Sequence, residues 1–374
     1  MILLITSFLI SIIVCGLLIR YRDWHLSISG DHDLTGPQKF HQQTVPRIGG
    51  VGIVIGYLVA VVLNLFINPV ITRSLIFVGL AALPIFSIGI AEDLTKRIGV
   101  KIRLMVAFLS GLLFLYFFDI HTIRLDIPVI DGLMGHSSVV AIFFLAFAVT
   151  GLSNAYNIID GFNGLASMVG IIATTAILYV AFKVQDPLVM ALAFIAIGST
   201  VGFFVWNYPK GHIFLGDGGA YMIGFLIAIT SILLVVRNPS VSPWFALMVN
   251  AYPIFETIFT IWRRSIHQRR SPGIPDGAHF HSLIYRRIIR WVKHDGQNYC
   301  YLNNAKTSPY LWILSSIGVG PAILWWNATA ILMFVSLIFI VFYVYLYFRI
   351  VTFKIPAVMN PRPPKKNESR MREE

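Results

Sequence analysis

The sequence predicts an all-α polytopic membrane protein with about 11 transmembrane helices. Three observations lead there. Hydrophobic residues make up 57% of the 374-residue chain and charged residues only 12%, against about 25% charged in a typical soluble domain. The mean hydropathy of +0.76 is too apolar for water to solvate most of the surface. The apolar residues also come in runs of roughly 20, the length a helix rising about 1.5 Å per residue needs to cross about 30 Å of hydrocarbon.

The runs lie at 1–19, 48–70, 74–91, 104–119, 137–153, 165–182, 187–206, 218–236, 243–262, 310–327 and 328–348. The last two are separated only by Trp325, Trp326 and Asn327, and read either as two short spans or as a re-entrant pair. The first has no basic residues ahead of it, and Arg20 and Arg22 follow it in place of a small-residue cleavage site. It therefore reads as a retained helix, not a cleaved signal.

Charge sets the orientation. With the amino terminus outside, the inside connections and the tail collect all of the 29 Lys and Arg residues except Arg73, Arg124, Lys183 and Arg237. The positive-inside bias thus predicts a multi-pass protein of the cell inner (plasma) membrane, with its amino terminus extracytoplasmic and its carboxyl terminus cytoplasmic. A net charge of +12 divided among membrane loops serves topology and contact with anionic membrane lipids, and disfavours nucleic acid as a partner. Cys15, in a helix, and Cys300, in a loop, have neither metal-site nor disulfide spacing.

One membrane domain, 1–348, is expected, with a polar cytoplasmic tail at 349–374 that is expected to be disordered. The cytoplasmic loops fall at about 20–47, 92–103, 154–164, 207–217 and 263–309. On the other side, Ile123, Leu125, Ile127 and Val129 alternate ahead of Asp131-Gly132, a pattern that predicts a small β-hairpin within 119–136.

The inside loops carry acids, histidines, asparagines and glycine pairs beside helix ends. Polar chemistry collected on one face predicts a cytoplasmic-face active site fed by a water-soluble substrate. In the first loop, Lys39 and His41 precede Pro46, Gly49 and Gly50; a lysine there can hold a phosphate as a point charge or simply follow the positive-inside bias. Glu92 and Asp93 are adjacent carboxylates at a helix end, able to bind Mg²⁺ or to form ion pairs with the basic residues that follow. Asn154, Asn157, Asp160 and Asn163 repeat every three residues and share a face if the helix continues through them. Four such groups beside an apolar span are costly to bury without a ligand.

Asp217 opens the eighth span between Gly216 and Gly218-Gly219, which fits a helix N-cap but also the close approach of a ligand or metal. Glu256 lies inside the ninth span, seven residues before Arg263, either as a functional acid or as that arginine's partner. His279 and His281 are two apart, without helical zinc spacing or an evident third ligand, and suit a diphosphate better than zinc. Beyond them, Leu283, Ile284, Ile288 and Trp291 oppose Arg286, Arg287, Arg290 and Lys293 in an interfacial amphipathic pattern.

In this order and spacing, over roughly residues 20–290, the chain resembles the polyprenyl-phosphate N-acetylhexosamine-1-phosphate transferase family. That family includes undecaprenyl-phosphate GlcNAc-1-phosphate transferases and phospho-MurNAc-pentapeptide translocase. Asp33, Lys39, His41, Pro46, Arg47, Gly49 and Gly50 match its first loop, with Gln38 where Arg is usual. Its aspartate pair falls on Glu92 and Asp93, and its NxxNxxDGxxGL stretch on Asn154, Asn157, Asp160, Gly161, Gly164 and Leu165, with Asn163 at a position that is often acidic. The GDxGS stretch falls on Gly216, Asp217 and Gly219, with Ala220 for Ser. The intramembrane aspartate falls on Glu256, and the HxHH motif on His279, Phe280, His281 and Ser282. These departures mark a divergent branch, and the incomplete histidine run argues against the MurNAc-pentapeptide translocase.

The resemblance implies transfer of a sugar-1-phosphate, on expectation N-acetylhexosamine-1-phosphate, from a UDP-sugar donor to undecaprenyl phosphate. UMP would be released and a lipid-linked cell-envelope glycan begun. It implies Mg²⁺, with Mn²⁺ as a substitute, held by Asp217, Asp93 and Asn157. Asp93, Glu92 and Asp217 would be catalytic, Asp93 contacting or deprotonating the lipid phosphate or serving as a covalent phospho-aspartate. Asn154, Asn157, Asp160, Asn163, His279, His281, Lys39, His41 and Glu256 would bind substrate. A homodimer is a candidate assembly. The competing class is a polytopic transporter or a lipid-phosphate-binding protein, which would place its polar groups near the midplane, often with internal repeats.

Overall fold

The computed structural model describes residues 1–31, 44–267, 278–289 and 304–352. Asp33, Lys39, His41, Cys300, the amphipathic stripe beyond Ile289 and most of the carboxyl-terminal tail lie outside the described residues.

The described chain is helical. In order come α1 (Ile2–Arg20), α2 (Arg22–Ser29), α3 (Gly49–Asn64), α4 (Pro69–Thr95), α5 (Val100–Phe117) and α6 (Pro128–His136). Then follow α7 (Ser138–Ile159), α8 (Leu165–Lys183), α9 (Pro187–Asn207), α10 (Gly216–Arg237), α11 (Pro243–Val249) and α12 (Ala251–Trp262). The last are α13 (Phe280–Ile284), α14 (Ser308–Leu324) and α15 (Thr329–Val351). Among the described residues, eight helices are long and apolar enough to cross a membrane. The α11–α12 pair bends by 76° at Asn250 and makes nine if counted as one broken span. The two other predicted runs are helical as α3 and α14, but at 16 and 17 residues they are shorter than a full span. All eleven apolar runs are thus helical, while full-length crossings number eight or nine.

Local sequence sets the ends. Asn68, Ser137, Asp186 and Ser242 accept hydrogen bonds from first-turn N–H groups of α4, α7, α9 and α11, three of which carry proline in that turn. The connection 119–136 is not a β-hairpin. Pro128 starts α6, and the Asp131 carboxylate accepts from the N–H groups of Leu125 and Ile127 at 2.6 and 3.1 Å. The Leu125 carbonyl accepts from the Trp244 indole at 3.0 Å. The alternating residues therefore find hydrogen bonds in neighbouring elements and need no partner strand.

Helix α10 is the axis of the bundle. Its apolar window is 94% buried, against 17% for α1, and it packs against α3, α4, α7, α8 and α9. The start of α10 lies at the same end of the bundle as the end of α4, the end of α7 and the start of α3, which is the end carrying the basic loops. That convergence positions the site.

Candidate active site

Two inside loops are knit together at that end. The Phe214 N–H donates to the Pro46 carbonyl at 2.8 Å, and the N–H groups of Gly49 and Gly50 donate to the carbonyls of Phe214 and Leu215 at 2.9 and 3.0 Å. On its other side the first loop pairs with the end of α2, Arg47 N–H to Ser29 O at 2.9 Å and Asp31 N–H to Val45 O at 3.0 Å. Arg47 is thereby held from both sides against the start of α10.

Glycines around Asp217 allow close helix packing. A Cβ at Gly50 would collide with the Gly219 backbone, and one at Gly89 with the Gly218 backbone. Gly216, at φ +74°, lies against the Arg47 carbonyl and the Asp93 carboxylate. Gly50 and Gly89 admit neighbouring backbone and so bring α3 and α4 against α10, while Gly216 also lines the cavity described below.

Asp93 has no exposed surface. Its two carboxylate oxygens accept from the N–H groups of Asp217 and Gly218 at 2.8 and 2.9 Å. It therefore caps the first turn of α10 from another helix, satisfying donors that a helix start leaves open. Asp217 in turn pairs with Arg103 of α5 and, at 3.3 Å, with Arg47; Arg47 also stands 3.6 Å from Asp93. Burial works against the Arg47 charge, but the carboxylates of Asp93, Asp217, Asp31 and Asp160 outweigh it and raise its pKa.

Asp217 and Arg47 form one wall of a cavity of about 340 Å³. Asn157, Asp160 and Asn163 form another, with His279, His281 and Ser282 beside them. Helix α7 ends at Ile159, so the three-residue repeat does not lie on one helical face. Asn157 projects from the last turn, and Asp160 from the turn that follows. Burial pushes the Asp160 carboxyl up to about 7; Arg47 opposes the shift and Asp217 adds to it. The imidazoles of His279 and His281 stack with centroids 5.2 Å apart and planes 9° apart, and His281 meets Phe162 edge-on.

Glu256, Glu92 and Asn154 stand outside the wall. Glu256 is behind His279, whose Nδ1 is 3.1 Å from its carboxylate; the Phe280 N–H and the Tyr343 hydroxyl are its other hydrogen-bond partners. Glu92 accepts from the Ile98 N–H at 2.7 Å and shapes the α4–α5 turn. Asn154 accepts from the Tyr221 hydroxyl at 3.5 Å and is not in the wall. The Asn163 amide is turned to the Pro209 carbonyl at 3.1 Å while its backbone bonds Asn304 and Ser308. Sequence reasoning missed Asp31, Arg47, Arg103, Asn207 and Asn304 as site residues. Arg47 belongs to the first-loop motif that carries the resemblance, whereas nothing in the sequence distinguishes Arg103 from the arginines that set topology; its pairing with Asp217 does.

No cluster of three or more acidic, histidine or cysteine ligands occurs among the described residues. Mg²⁺ would need no such cluster, because it takes one or two carboxylates and completes its shell with water and phosphate oxygens. Asp217, Asp160 and the Asn157 amide line the same cavity and are the donors that fit.

A model of the family described as glycosyl transferase family 4 matches residues 75–235. A probable undecaprenyl-phosphate N-acetylglucosaminyl 1-phosphate transferase of Bacillus subtilis (strain 168) is 31% identical over 263 residues, 68% of this chain and 70% of the relative. The chain belongs to glycosyl transferase family 4. The resemblance drawn from the loop motifs is borne out. The undecaprenyl-phosphate alpha-N-acetylglucosaminyl 1-phosphate transferase of Thermotoga maritima is 27% identical, covering 69% of this chain and 74% of the relative. A phospho-N-acetylmuramoyl-pentapeptide-transferase of Lactobacillus helveticus is 28% identical, covering 77% and 92%. The segment matched by the family 4 model contains Asp93, Asn157, Asp160 and Asp217, whereas Arg47, Glu256 and the two histidines fall outside it.

Proposed function

We propose that this family member transfers an N-acetylhexosamine-1-phosphate from a UDP-sugar to undecaprenyl phosphate at the cytoplasmic face of the plasma membrane. UMP leaves, and the lipid-linked product begins a cell-envelope glycan. The observation that carries the reading is the single cavity at the basic end of the bundle, where Asp217, Arg47, Asp160, Asn157 and two histidines converge. The activities for which the Bacillus and Thermotoga relatives are named support the acceptor in this reading.

In the reaction an oxygen of the lipid phosphate forms a bond to the sugar-proximal phosphorus, and the bond from that phosphorus to the UMP oxygen breaks. Both reactants are anions, so positioning and charge neutralisation carry most of the catalysis. Arg47, His279 and His281 supply donors for the diphosphate and sugar, and Asn157 and Asp160 orient the donor. Asp93 acts by fixing the first turn of α10, and hence Asp217. Mg²⁺, held by Asp217 and Asp160 with Asn157, would supply charge neutralisation at the diphosphate.

The test is UMP release and lipid-linked sugar formation by membranes containing the protein, given undecaprenyl phosphate, Mg²⁺ and a panel of UDP-sugars. Turnover with one donor, lost in EDTA and reduced at least roughly 100-fold in Asp217→Asn, is the expected result. No turnover with any UDP-sugar, from folded protein that still binds undecaprenyl phosphate, would refute the donor class.

A further inference from the structure

We infer that Glu256 is a positioning residue that acts through His279, fixing the orientation and tautomer of the imidazole that lines the cavity. The inference rests on the transferase reading and adds a working pair to it.

Glu256 lies on α12 with 1% of its surface exposed and is not part of the cavity wall. Its partners come from two other segments. One carboxylate oxygen is 3.1 Å from His279 Nδ1 and accepts from the Phe280 N–H, also at 3.1 Å; the other accepts from the Tyr343 hydroxyl of α15 at 2.6 Å. An ionised carboxylate can only accept, so Nδ1 of His279 carries the proton. That leaves Nε2 as the imidazole's remaining polar atom, on a residue that lines the cavity. The Thr260 hydroxyl, 3.4 Å from Nδ1, adds a weaker contact on the same side.

A carboxylate this buried is costly unless its oxygens are hydrogen-bonded, and His279 supplies one of its three partners beside the Phe280 N–H and the Tyr343 hydroxyl. Tyr343 keeps the carboxylate from rotating away. The stack of His279 on His281, which itself abuts Gly161, fixes the ring plane.

A purely structural reading makes Glu256 a cap for the Phe280 N–H at the start of α13. A double-mutant cycle on the full-length protein separates the two. Glu256→Gln should lower kcat/KM roughly 10- to 100-fold, the range seen when the partner behind a functional histidine is removed, with the thermal unfolding midpoint little changed. In a His279→Asn background the same change should cost less than about twofold, because its target is gone. Glu256→Asp, one methylene too short to reach Nδ1, should behave like the Gln variant. If Gln lowers folded yield, Tyr343→Phe keeps the carboxylate but loosens it, and should give a smaller, equally His279-dependent loss. Equal losses with and without His279, or no loss at all, would overturn the inference. Labelling of His279 by diethyl pyrocarbonate, read by peptide mass spectrometry, requires no turnover. Its rate should change severalfold in Glu256→Gln, which loosens the imidazole, and an unchanged rate would also overturn the inference. A wild-type protein that is inactive with every donor would refute the transferase reading, and labelling would still decide the pair.

Discussion

Replacing Asp160 by Asn should make the unliganded protein more stable and less active, with the stability gain confined to pH above the acid range. Burial raises the Asp160 carboxyl from an ordinary 3.8 to about 7. Below about pH 4 the group is protonated both folded and unfolded, and it has no effect on stability. Between that pH and about 7 the unfolded chain ionises while the folded one does not, so stability falls as pH rises. Above about 7 both states are ionised and the loss is constant. Roughly three pKa units at about 1.36 kcal/mol each give about 4 kcal/mol, a ceiling because water entering the cavity screens the charge. Asn removes this term. Thermal unfolding in detergent with EDTA, at pH 5 and pH 8, reads the difference. The midpoint of Asp160→Asn should exceed wild type by several degrees at pH 8 and by much less at pH 5. The variant's turnover should fall at both pH values, because the lost carboxylate lines the cavity. An offset equal at the two pH values, or a less stable variant at pH 8, would refute the reasoning.

Two further contrasts test the packing. Gly50→Ala sets a methyl against the Gly219 backbone, which cannot rotate away, and should destabilise by about 1–3 kcal/mol or more while abolishing turnover. Gly132→Ala on α6 meets nothing within 4 Å and should be neutral or stabilise by up to about 1 kcal/mol. Wild-type stability in Gly50→Ala would mean that α3 and α10 do not approach as described. At the opposite end, Asp186→Ala removes the cap of α9 and a 2.7 Å pair with Arg237, and should destabilise by about 1–3 kcal/mol with KM unaltered. Burial works against the Asp186 charge, but hydrogen bonds from Arg237 and Asn238 outweigh it and lower its pKa. Its contribution is therefore present at neutral pH and lost as pH falls through the folded-state value, where variant and wild-type unfolding midpoints should converge. A changed KM without a changed midpoint would place Asp186 in the wrong role.

The apolar runs made the helices legible, because the period and length of a membrane helix are written directly in composition. The site was legible by residue type but not by direction. Glu92 and Asp93 are neighbours in sequence, yet successive residues point about 100° apart around a helix. Asp93 consequently faces α10 while Glu92 faces the turn at Ile98. The repeat from Asn154 to Asn163 has helical spacing, but the helix ends within it, and the last two members owe their places to the turn. The bend at Asn250 has no proline at the break, only Pro253 three residues on, so hydropathy read one continuous span. Arg103 looks like a topology charge until the fold brings it, with Arg47 of the first-loop motif, to Asp217.

That cluster explains how charged groups persist inside the bundle. Two aspartates, Asp93 and Asp217, stand with two arginines, Arg47 and Arg103, at the start of α10, where the open N–H groups and the helix dipole also favour negative charge. Formal charges balance, and removing any one member leaves a buried partner exposed to the low dielectric. The cavity therefore has walls of two kinds. The Asp217 wall is built on α3, α4, α5 and α10, packed backbone to backbone through glycine, so that its carboxylate direction is fixed by the bundle itself. The facing wall is built from the turn after α7 and from the short helix carrying His279, His281 and Ser282. Elements of that kind accept sequence change without disturbing a helix interface. The departures from the family pattern divide accordingly. Asn163 and Ser282 lie on the facing wall, where they alter what the cavity can contact, while Glu92 and Ala220 lie outside the cavity and leave the Asp217 cluster intact.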